Sequence, residues 1–440
     1  MKTILLCGGV GKRMFPMSED KLLLNFMGKS LLHHQIDRLR EVGLNDLVLV
    51  VNPNNREKIE RIVAGIPGIK VDWAVQREPL GIAHALDSAA RCLEGETLIV
   101  NPNDVFEPSA YRGLLLESRK ATGSSYLVGY EVSQYFPGGY LVVDKENNLE
   151  RIVEKPPRGE EPGNLVNILL HLHSDIRNVL EFAGTVETKK DDVYECSLDK
   201  MVRQGLTIKV VPYRGFWAAI KYPWHIFGVS KHFLSEAARL IAPTAQIAGT
   251  ATVEGKVIIE DQARVLENAV IRGPAYIGKG TIIGNNALVR DHSHIGANCV
   301  VGYCTEVKGS YIGDRCWFHS SYVGDSIMGD DCSLAAGTVL ANFRFDEGNV
   351  RVTAGEETID TGLDKFGAIM GAGCKTGINA SIMPGVKIGP NSIVGSHVCL
   401  MRDLEPDRMV LMEPRYRVLD NRIHLDAKKK VELMQKLEKK

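Results

Sequence analysis

Long apolar runs are missing. No stretch of the 440 residues approaches the length of a membrane span, and Met1-Lys2-Thr3 leads into a short strand-like run, not a leader with a cleavage site. A membrane is therefore not an expected partner, and the expected compartment is the cytoplasm. An excess of charge is missing too. The 53 Lys and Arg nearly balance 54 Asp and Glu, for a net charge of −1, so no bulk attraction to nucleic acid is expected. Any affinity for phosphate has to come from a local cluster. Paired cysteine spacing is the third absence. Nine cysteines are scattered from Cys7 to Cys399 with no C-x-x-C, the pattern of free thiols in reducing surroundings. What is present is an ordinary globular composition, 44% hydrophobic and 24% charged. The chain is too long for one core, so two domains are expected.

The first loop organises the amino-terminal half. Ile4 to Cys7 reads as a buried strand feeding Gly8-Gly9-Val10-Gly11, and the basic pair Lys12-Arg13 follows. Glycine lets backbone N–H groups approach an anion closely. Arg13 and Lys21 add fixed positive charge where a polyphosphate would lie. A tight structural turn is the alternative. The loop's place as the first turn of an α/β pattern, with Arg and Lys at short offsets, favours phosphate.

Downstream, strands alternate with helices. Ser30 to Val42 has helical spacing, residues 47–51 are a continuous apolar strand, Asn52-Pro53-Asn54-Asn55 is a turn, Lys58 to Ala64 is helical, and 71–75 is a strand. This pattern predicts a mostly parallel sheet covered by helices. Gln76, whose amide can donate and accept at a base edge, precedes Gly81, where a flat ring can lie on the backbone. Taken alone this run is equally an ordinary helix entry. Asp104 ends the apolar strand 97–100 and its turn, and is a sensible Mg²⁺ ligand or a turn residue. Gly138-Gly139 opens a strand, Glu154-Lys155-Pro156 closes another, and Asn167 lies beyond a Gly/Pro-rich loop. His171 and His173 share one side of a strand with no third ligand nearby, and read as structural or exposed rather than metal-binding.

Together, Gly9-x-Gly11-x-Arg13, Lys21, Gln76 with Gly81, Asp104, Gly139 and Glu154-Lys155-Pro resemble the sugar-1-phosphate nucleotidylyltransferases, in that family's order and over about half the chain. The resemblance implies a Rossmann-like nucleotidyltransferase domain. It implies that Gly9, Gly11 and Arg13 hold a nucleoside triphosphate and that Gln76 and Gly81 contact its base. It also implies that Asp104 binds Mg²⁺ and that Gly139, Glu154, Lys155 and Asn167 hold a sugar 1-phosphate. There are departures. Asp20-Lys21 stands where Pro-Lys is usual, and Asn103-Asp104 where Gly-Asp is. Leu169 and His171 stand where Gly and Tyr are common. The second metal-binding acid, expected two residues after Trp217, is Ala219. Lys221 lies close by in sequence and is a candidate to replace some of that charge. The active site is therefore variant or dead.

From residue 247 the period changes to six. Ile247, Val253, Ile259, Val265, Ile271, Ile277, Ile283, Val289, Ile295, Val301 and Val307 follow at strict spacing, and the register returns with Ile382, Ile388 and Val394. A helix cannot keep this period on one face, whereas a triangular β-solenoid can. The pattern resembles the left-handed parallel β-helix of the hexapeptide-repeat acyltransferases. The regular repeat breaks between about 308 and 375. There, Phe318-His319-Ser320-Ser321-Tyr322, Ala335 to Asn342, Asp360-Thr361-Gly362 and Lys365-Phe366-Gly367 resemble the acetyltransferase half of bifunctional archaeal-type sugar nucleotide synthases.

That resemblance implies acetyl-CoA as co-substrate and His319 as general base on an amino sugar, a task suited to a group titrating near neutrality. It implies Tyr322 and Asn342 at the acceptor and Arg351 keeping a phosphate contact where Gly348 replaces a common Lys. A coil histidine at a corner is the alternative for His319. Residues 427–440 have helical spacing. The expected division is 1–236 for nucleotidyl transfer, 237–425 for the β-helix and 426–440 for a helical tail. By resemblance the assembly is a homo-oligomer, a trimer or a multiple of one. A monofunctional nucleotidylyltransferase with a scaffolding β-helix, and a non-catalytic binder of sugar nucleotides, remain open on sequence.

Overall fold

The computed structural model describes residues 1–9, 11–120, 125–188, 192–355, 357–413, 415–423 and 426–438; the side chains of Lys12 and Ala427 are also outside the description. The first domain is built on a nine-stranded sheet. Lys2–Cys7 is central, with Asp46–Val51 and Thr97–Val100 parallel on its two sides and Lys70–Val75 beyond Asp46–Val51. The three inner strands are largely apolar and buried, whereas Lys70–Val75 at the edge is mostly half-buried. The other half of the sheet differs from the expected parallel pattern. Leu165–His173 runs antiparallel to Thr97–Val100, Ser125–Glu131 and Gly139–Val143. Gly139–Val143 pairs antiparallel with Leu149–Glu154. The reason is local. A short turn with Asn147 at φ 60° joins those two strands, with no crossover helix to bring the chain back parallel.

His225–Glu236 is the last helix of this domain, and Leu240–Ile241 opens the coils. Three parallel sheets of eight, nine and eight strands then climb the rest of the chain. Each inward side chain stacks on its equivalent one coil later, as in Val265, Ile283 and Val301. One corner repeatedly takes positive φ, at Gln262, Asn298, Arg315 and Asp331 and at Gly280. Side chains adopt that region at some cost, and Asn, Asp and Gly adopt it most easily.

The expected break at 308–375 is mostly not a break. Val307, Ile312, Phe318, Val323, Met328, Leu334 and Leu340 all face inward. Three sides are shortened to five residues, so a strict count of six loses the register while the coils continue. The true excursion lies between Leu340 and the next inward residue, Met370. It carries an antiparallel hairpin, Arg351–Ala354 with Glu357–Asp360. Val350, Val352 and Phe366 from this excursion are buried in the core of the first domain. The Phe366 ring meets that of Phe227 at 5.6 Å, edge to face.

A second contact closes the seam. His294 is stacked between Tyr276 and Tyr311, with both centroids at 4.8 Å. Its Nε2 accepts the Met27 N–H at 3.1 Å, and its Nδ1 donates to Ile312 O at 3.3 Å. The Tyr311 hydroxyl donates to Asn25 O at 2.8 Å. On the first domain's side, His34 stacks on Phe233 at 4.3 Å and donates to Phe26 O. His294 is buried and His34 half-buried, and both rings are neutral at pH 7. The tail helix Ala427–Leu437 is capped by Asp426 and leaves Val431, Leu433 and Leu437 exposed.

Burial lowers the pKa of both His294 and His34 from 6.5 to about 4. The unfolded chain therefore takes up protons first as pH falls. The stability these rings hold is complete above pH 6.5 and is lost as pH falls towards 4. Thermal unfolding followed by circular dichroism should show Tm falling across that window, with a shallower fall in His294→Gln.

Candidate active site

The site forms where the central strand ends. Gly8 cannot carry a side chain, because a Cβ there would lie 2.2 Å from Gln76 Oε1. Its bareness lets Gln76 cross beneath the loop. Gly11, at φ 63°, turns the chain into the short helical turn Lys12–Met14, and Arg13 is exposed on it. Gly9 has nothing within 4 Å of an added Cβ. It opens on two cavities. One, of about 300 Å³, is lined by Gly9, Gln76, Gly81, Asn101, Asn103 and Leu169. The other, of about 500 Å³, runs from Gly9 and Gly11 past Asn52 and Lys58 to Pro390 and Pro406 of the coils. Gln76 Nε2 donates to Gly81 O at 2.9 Å. Val10 lies outside the described residues.

Lys21 is held by the residue that departs from the family pattern. Asp20 caps the turn Lys21–Leu23: Oδ1 accepts the Leu22 N–H at 3.0 Å, and Oδ2 accepts from Asn55 Nδ2 at 2.7 Å. Asn55 also donates to Cys7 O, and Asn52 to Gly8 O. The run Asn52 to Asn55 is thus a clamp on the glycine-rich loop, a role beyond the turn its composition predicts. Gly8, Asn52 and Asn55 are the residues the sequence reading passed over. The signal available was an Asn-rich turn at the carboxyl end of the neighbouring parallel strand.

Asp104 sits at the centre, buried, with Gln35 Nε2 donating to its backbone oxygen at 2.8 Å. Burial raises its carboxyl pKa to about 6, against the pull of Lys221, Asn101 and Lys21. Burial also lowers the ammonium groups of Lys21 and Lys221. Lys221 Nζ lies 4.1 Å from the Phe136 ring centroid. His225 Nδ1 accepts the Lys221 N–H at 3.1 Å and lies 3.4 Å from that of Tyr222. Its ring is neutral, since burial lowers its pKa to about 4.

On the far side, Gly139 faces Glu154 across the hairpin. A Cβ on Gly139 would lie 2.7 Å from Glu154 Oε2 and 3.7 Å from Asn167 Cβ. These three residues therefore converge. Lys155 is beside them, 3.6 Å from Glu154 Oε1. His171 and His173 are both buried, and neither is exposed as one reading allowed. One chain of hydrogen bonds runs through them. The Ser125 hydroxyl meets His173 Nδ1 at 2.7 Å, His173 Nε2 meets the Tyr194 hydroxyl at 2.8 Å, that hydroxyl meets His171 Nδ1 at 2.7 Å, and His171 Nε2 meets Asn167 Oδ1 at 2.8 Å. Donated in that order, every link of this run is satisfied and the Asn167 amide N–H₂ is not used by it.

On the coils, Tyr322 and Asn342 converge over Gly324, where an added Cβ would lie 2.6 Å from the Tyr322 hydroxyl and 2.8 Å from Asn342 Nδ2. Asp325 Oδ2 accepts from Asn342 at 2.5 Å and pairs with Lys308 at 2.6 Å. His319 is exposed at the preceding corner, its N–H donating to Leu334 O. Arg351 is not brought into this cluster. It lines a cavity of about 430 Å³ with Phe343, Phe345 and Met401, because the hairpin that carries it leans on the first domain.

Residues 2–207 match the nucleotidyl transferase family, and residues 274–309 and 367–402 match the bacterial transferase hexapeptide repeats. The unmatched span between the repeats is that of the shortened sides and the excursion. The bifunctional protein GlmU of Methanococcus maripaludis strain S2 is 34% identical over 93% of this chain and 97% of its own length. The bifunctional sugar-1-phosphate nucleotidylyltransferase/acetyltransferase of Sulfurisphaera tokodaii is 32% identical over 92% and 98%. The chain belongs to this bifunctional nucleotidylyltransferase/acetyltransferase family.

For a member of this bifunctional family, the donor set around Asp104 is poor in acids. Position 219 lies directly opposite Asp104 in an antiparallel pair and is alanine. Among the described residues no three His, Cys, Asp or Glu side chains are grouped to hold a metal ion. These residues do not fit a divalent cation held by the protein itself. The substitution at Asp20, by contrast, is explained by its cap. Asp20→Ala should cost about 1–2 kcal/mol of stability in denaturant unfolding, and Asp20→Asn, which keeps an acceptor, should recover most of it.

Proposed function

We propose that the first domain, residues 1–236, joins a nucleoside triphosphate to a sugar 1-phosphate, and that the β-helix, 237–425, transfers acetyl from acetyl-CoA to an amino sugar phosphate. Residues 426–440 form the tail. The observation that carries this reading is convergence. Asn101, which lines the cavity of Gln76 and Gly81, bonds to Asp104, and Lys221 has as charged neighbours both Asp104 and Glu154 of the cluster with Gly139 and Asn167. A base is held on one side, a sugar phosphate on the other, and the reacting phosphorus between them.

The sugar phosphate oxygen is already anionic, so no general base is needed. It attacks the α-phosphorus, a new P–O bond forms, the bond to the β-phosphate oxygen breaks and pyrophosphate leaves. Gly9 and Gly11 leave room for the triphosphate against the backbone. Arg13, Lys21 and Lys221 neutralise charge that grows in the transition state. Asn167, oriented by His171, donates to the sugar side. On the coils, the amine attacks the thioester carbonyl and His319 takes its proton; the amide C–N bond forms, the C–S bond breaks and coenzyme A leaves as its thiol with that proton, with Tyr322 and Asn342 at the acceptor. Arg351 is apart from them in one chain. The exposed Trp317, Phe343 and Phe345 support an assembly in which a second copy covers this face, as in a homotrimer. The nine free thiols support work in the cytoplasm.

Pyrophosphate release across a panel of nucleoside triphosphates and sugar 1-phosphates tests the first activity. Thiol release from acetyl-CoA with amino sugar phosphates tests the second. His319→Ala should lower acetyl transfer by roughly 100-fold or more and leave pyrophosphate release unchanged. His171→Leu should raise KM for the sugar phosphate about tenfold with little change in KM for the triphosphate, since Asn167 loses its partner. No release from any pair, with triphosphate still bound, would leave a binding domain beside the acetyltransferase.

A further inference from the structure

We infer that Lys221 is the resident cation of the nucleotidylyl site, standing where the family holds a divalent metal, so that this chain binds triphosphate without a protein-held metal. The inference rests on the nucleotidylyl reading above and deepens it.

The strand register carries the argument. Trp217–Ala219 pairs antiparallel with Asp104–Phe106, and Ala219 is the cross-strand partner of Asp104. Side chains directly opposite have Cβ atoms about 4.5–5.5 Å apart. An acid at 219 would therefore give two carboxylates spaced to share one hard cation through oxygen ligands. The methyl of Ala219 supplies no ligand. Asp104 is the one carboxylate of this strand pair, and among the described residues no three His, Cys, Asp or Glu side chains are grouped to hold a metal ion.

Two residues beyond the lost acid the chain places a fixed positive charge. Lys221 is set by two features. Its backbone N–H is held by His225 Nδ1 at 3.1 Å, and its ammonium rests over the Phe136 ring at 4.1 Å. Its charged neighbours are Asp104 and Arg13 on the triphosphate side and Lys155 and Glu154 on the sugar side. Lys21 approaches Asp104 from its capped turn. The ammonium groups of Lys21 and Lys221 both act on Asp104 and so oppose an added divalent ion at that carboxylate. An ammonium at this junction can donate to the non-bridging oxygens of the α-phosphate, where charge grows as pyrophosphate leaves.

The test uses the full-length protein. Manganese binding is followed by electron paramagnetic resonance with a non-hydrolysable triphosphate analogue. Binding of the analogue is measured by calorimetry in Mg²⁺ and in EDTA, and pyrophosphate release is measured in both. The wild type should bind the analogue in EDTA within about threefold of its affinity in Mg²⁺, hold no Mn²⁺ beyond that on the analogue, and keep turnover in EDTA. Lys221→Ala should lose EDTA binding and turnover by roughly 100-fold. Lys221→Met, which keeps the stem, replaces it if the alanine variant does not fold. The double variant Ala219→Asp/Lys221→Gly should gain a Mn²⁺ site and become metal-dependent.

The inference is overturned if EDTA abolishes analogue binding by the wild type, if the wild type holds Mn²⁺ more tightly than the free analogue does, or if Lys221→Ala binds unchanged. Binding in EDTA that depends on Lys221, with no turnover from any substrate pair, would instead sink the nucleotidylyl reading and keep the cation assignment.

Discussion

Coil-on-coil stacking of inward side chains constrains everything in the carboxyl-terminal half. Parallel coils leave no freedom to shift one rung without misplacing every apolar contact above it. The chain therefore keeps the inward position even where a side loses a residue, as between Val307 and Ile312 or between Phe318 and Val323. Variation is pushed outward to corners and excursions. The buried thiols of Cys299, Cys316, Cys332 and Cys374 fit this logic. They occupy the interior of successive coils as small packing groups, and all are free.

The same stack mounts the first domain. Tyr276, His294 and Tyr311 occupy adjacent rungs, so their rings fall into register automatically, and the middle ring presents Nε2 to the Met27 N–H. The excursion after Leu340 adds Val350, Val352 and Phe366 to the first domain's core. The two halves thus share an apolar seam. That seam brings Pro390 and Pro406 of the coils into the cavity lined by Gly9 and Gly11.

Within the first domain, charge is organised around one buried carboxylate. Asp104 is costly to ionise where it sits, and Lys21 and Lys221 offset that cost. Each lysine is placed by a neighbour: Asp20, which stands where the family usually has Pro, caps the turn of Lys21, and the neutral His225 holds the backbone of Lys221. The cluster of Gly139, Glu154 and Asn167 is ordered by a different device, a run of neutral hydrogen bonds that ends on Asn167. Burial keeps its histidines uncharged, lowering His173 to about 3 and His171 well below its usual value. The polarity of the chain therefore does not vary across neutral pH.

The sequence by itself determined the α/β half and the six-residue solenoid, because each is a local pattern of spacing and residue type, and its resemblance to a family singled out Gly9, Gly11, Gln76, Gly81, Gly139, Glu154 and Asn167 as candidates. It also marked Ala219 as a departure. Only the tertiary structure decided what that departure means, since the facing of Ala219 and Asp104 is a strand register between distant segments. It likewise decided that Gly8 must be bare for Gln76, that Asn52 and Asn55 clamp the loop, and that His171 and His173 lie in the core. The coils hidden at 308–340 and the antiparallel half of the sheet belong to the same class. Periodicity reports which face a residue takes within its own element, whereas pairing and clearance depend on which other element arrives opposite, and spacing along the chain does not carry that information.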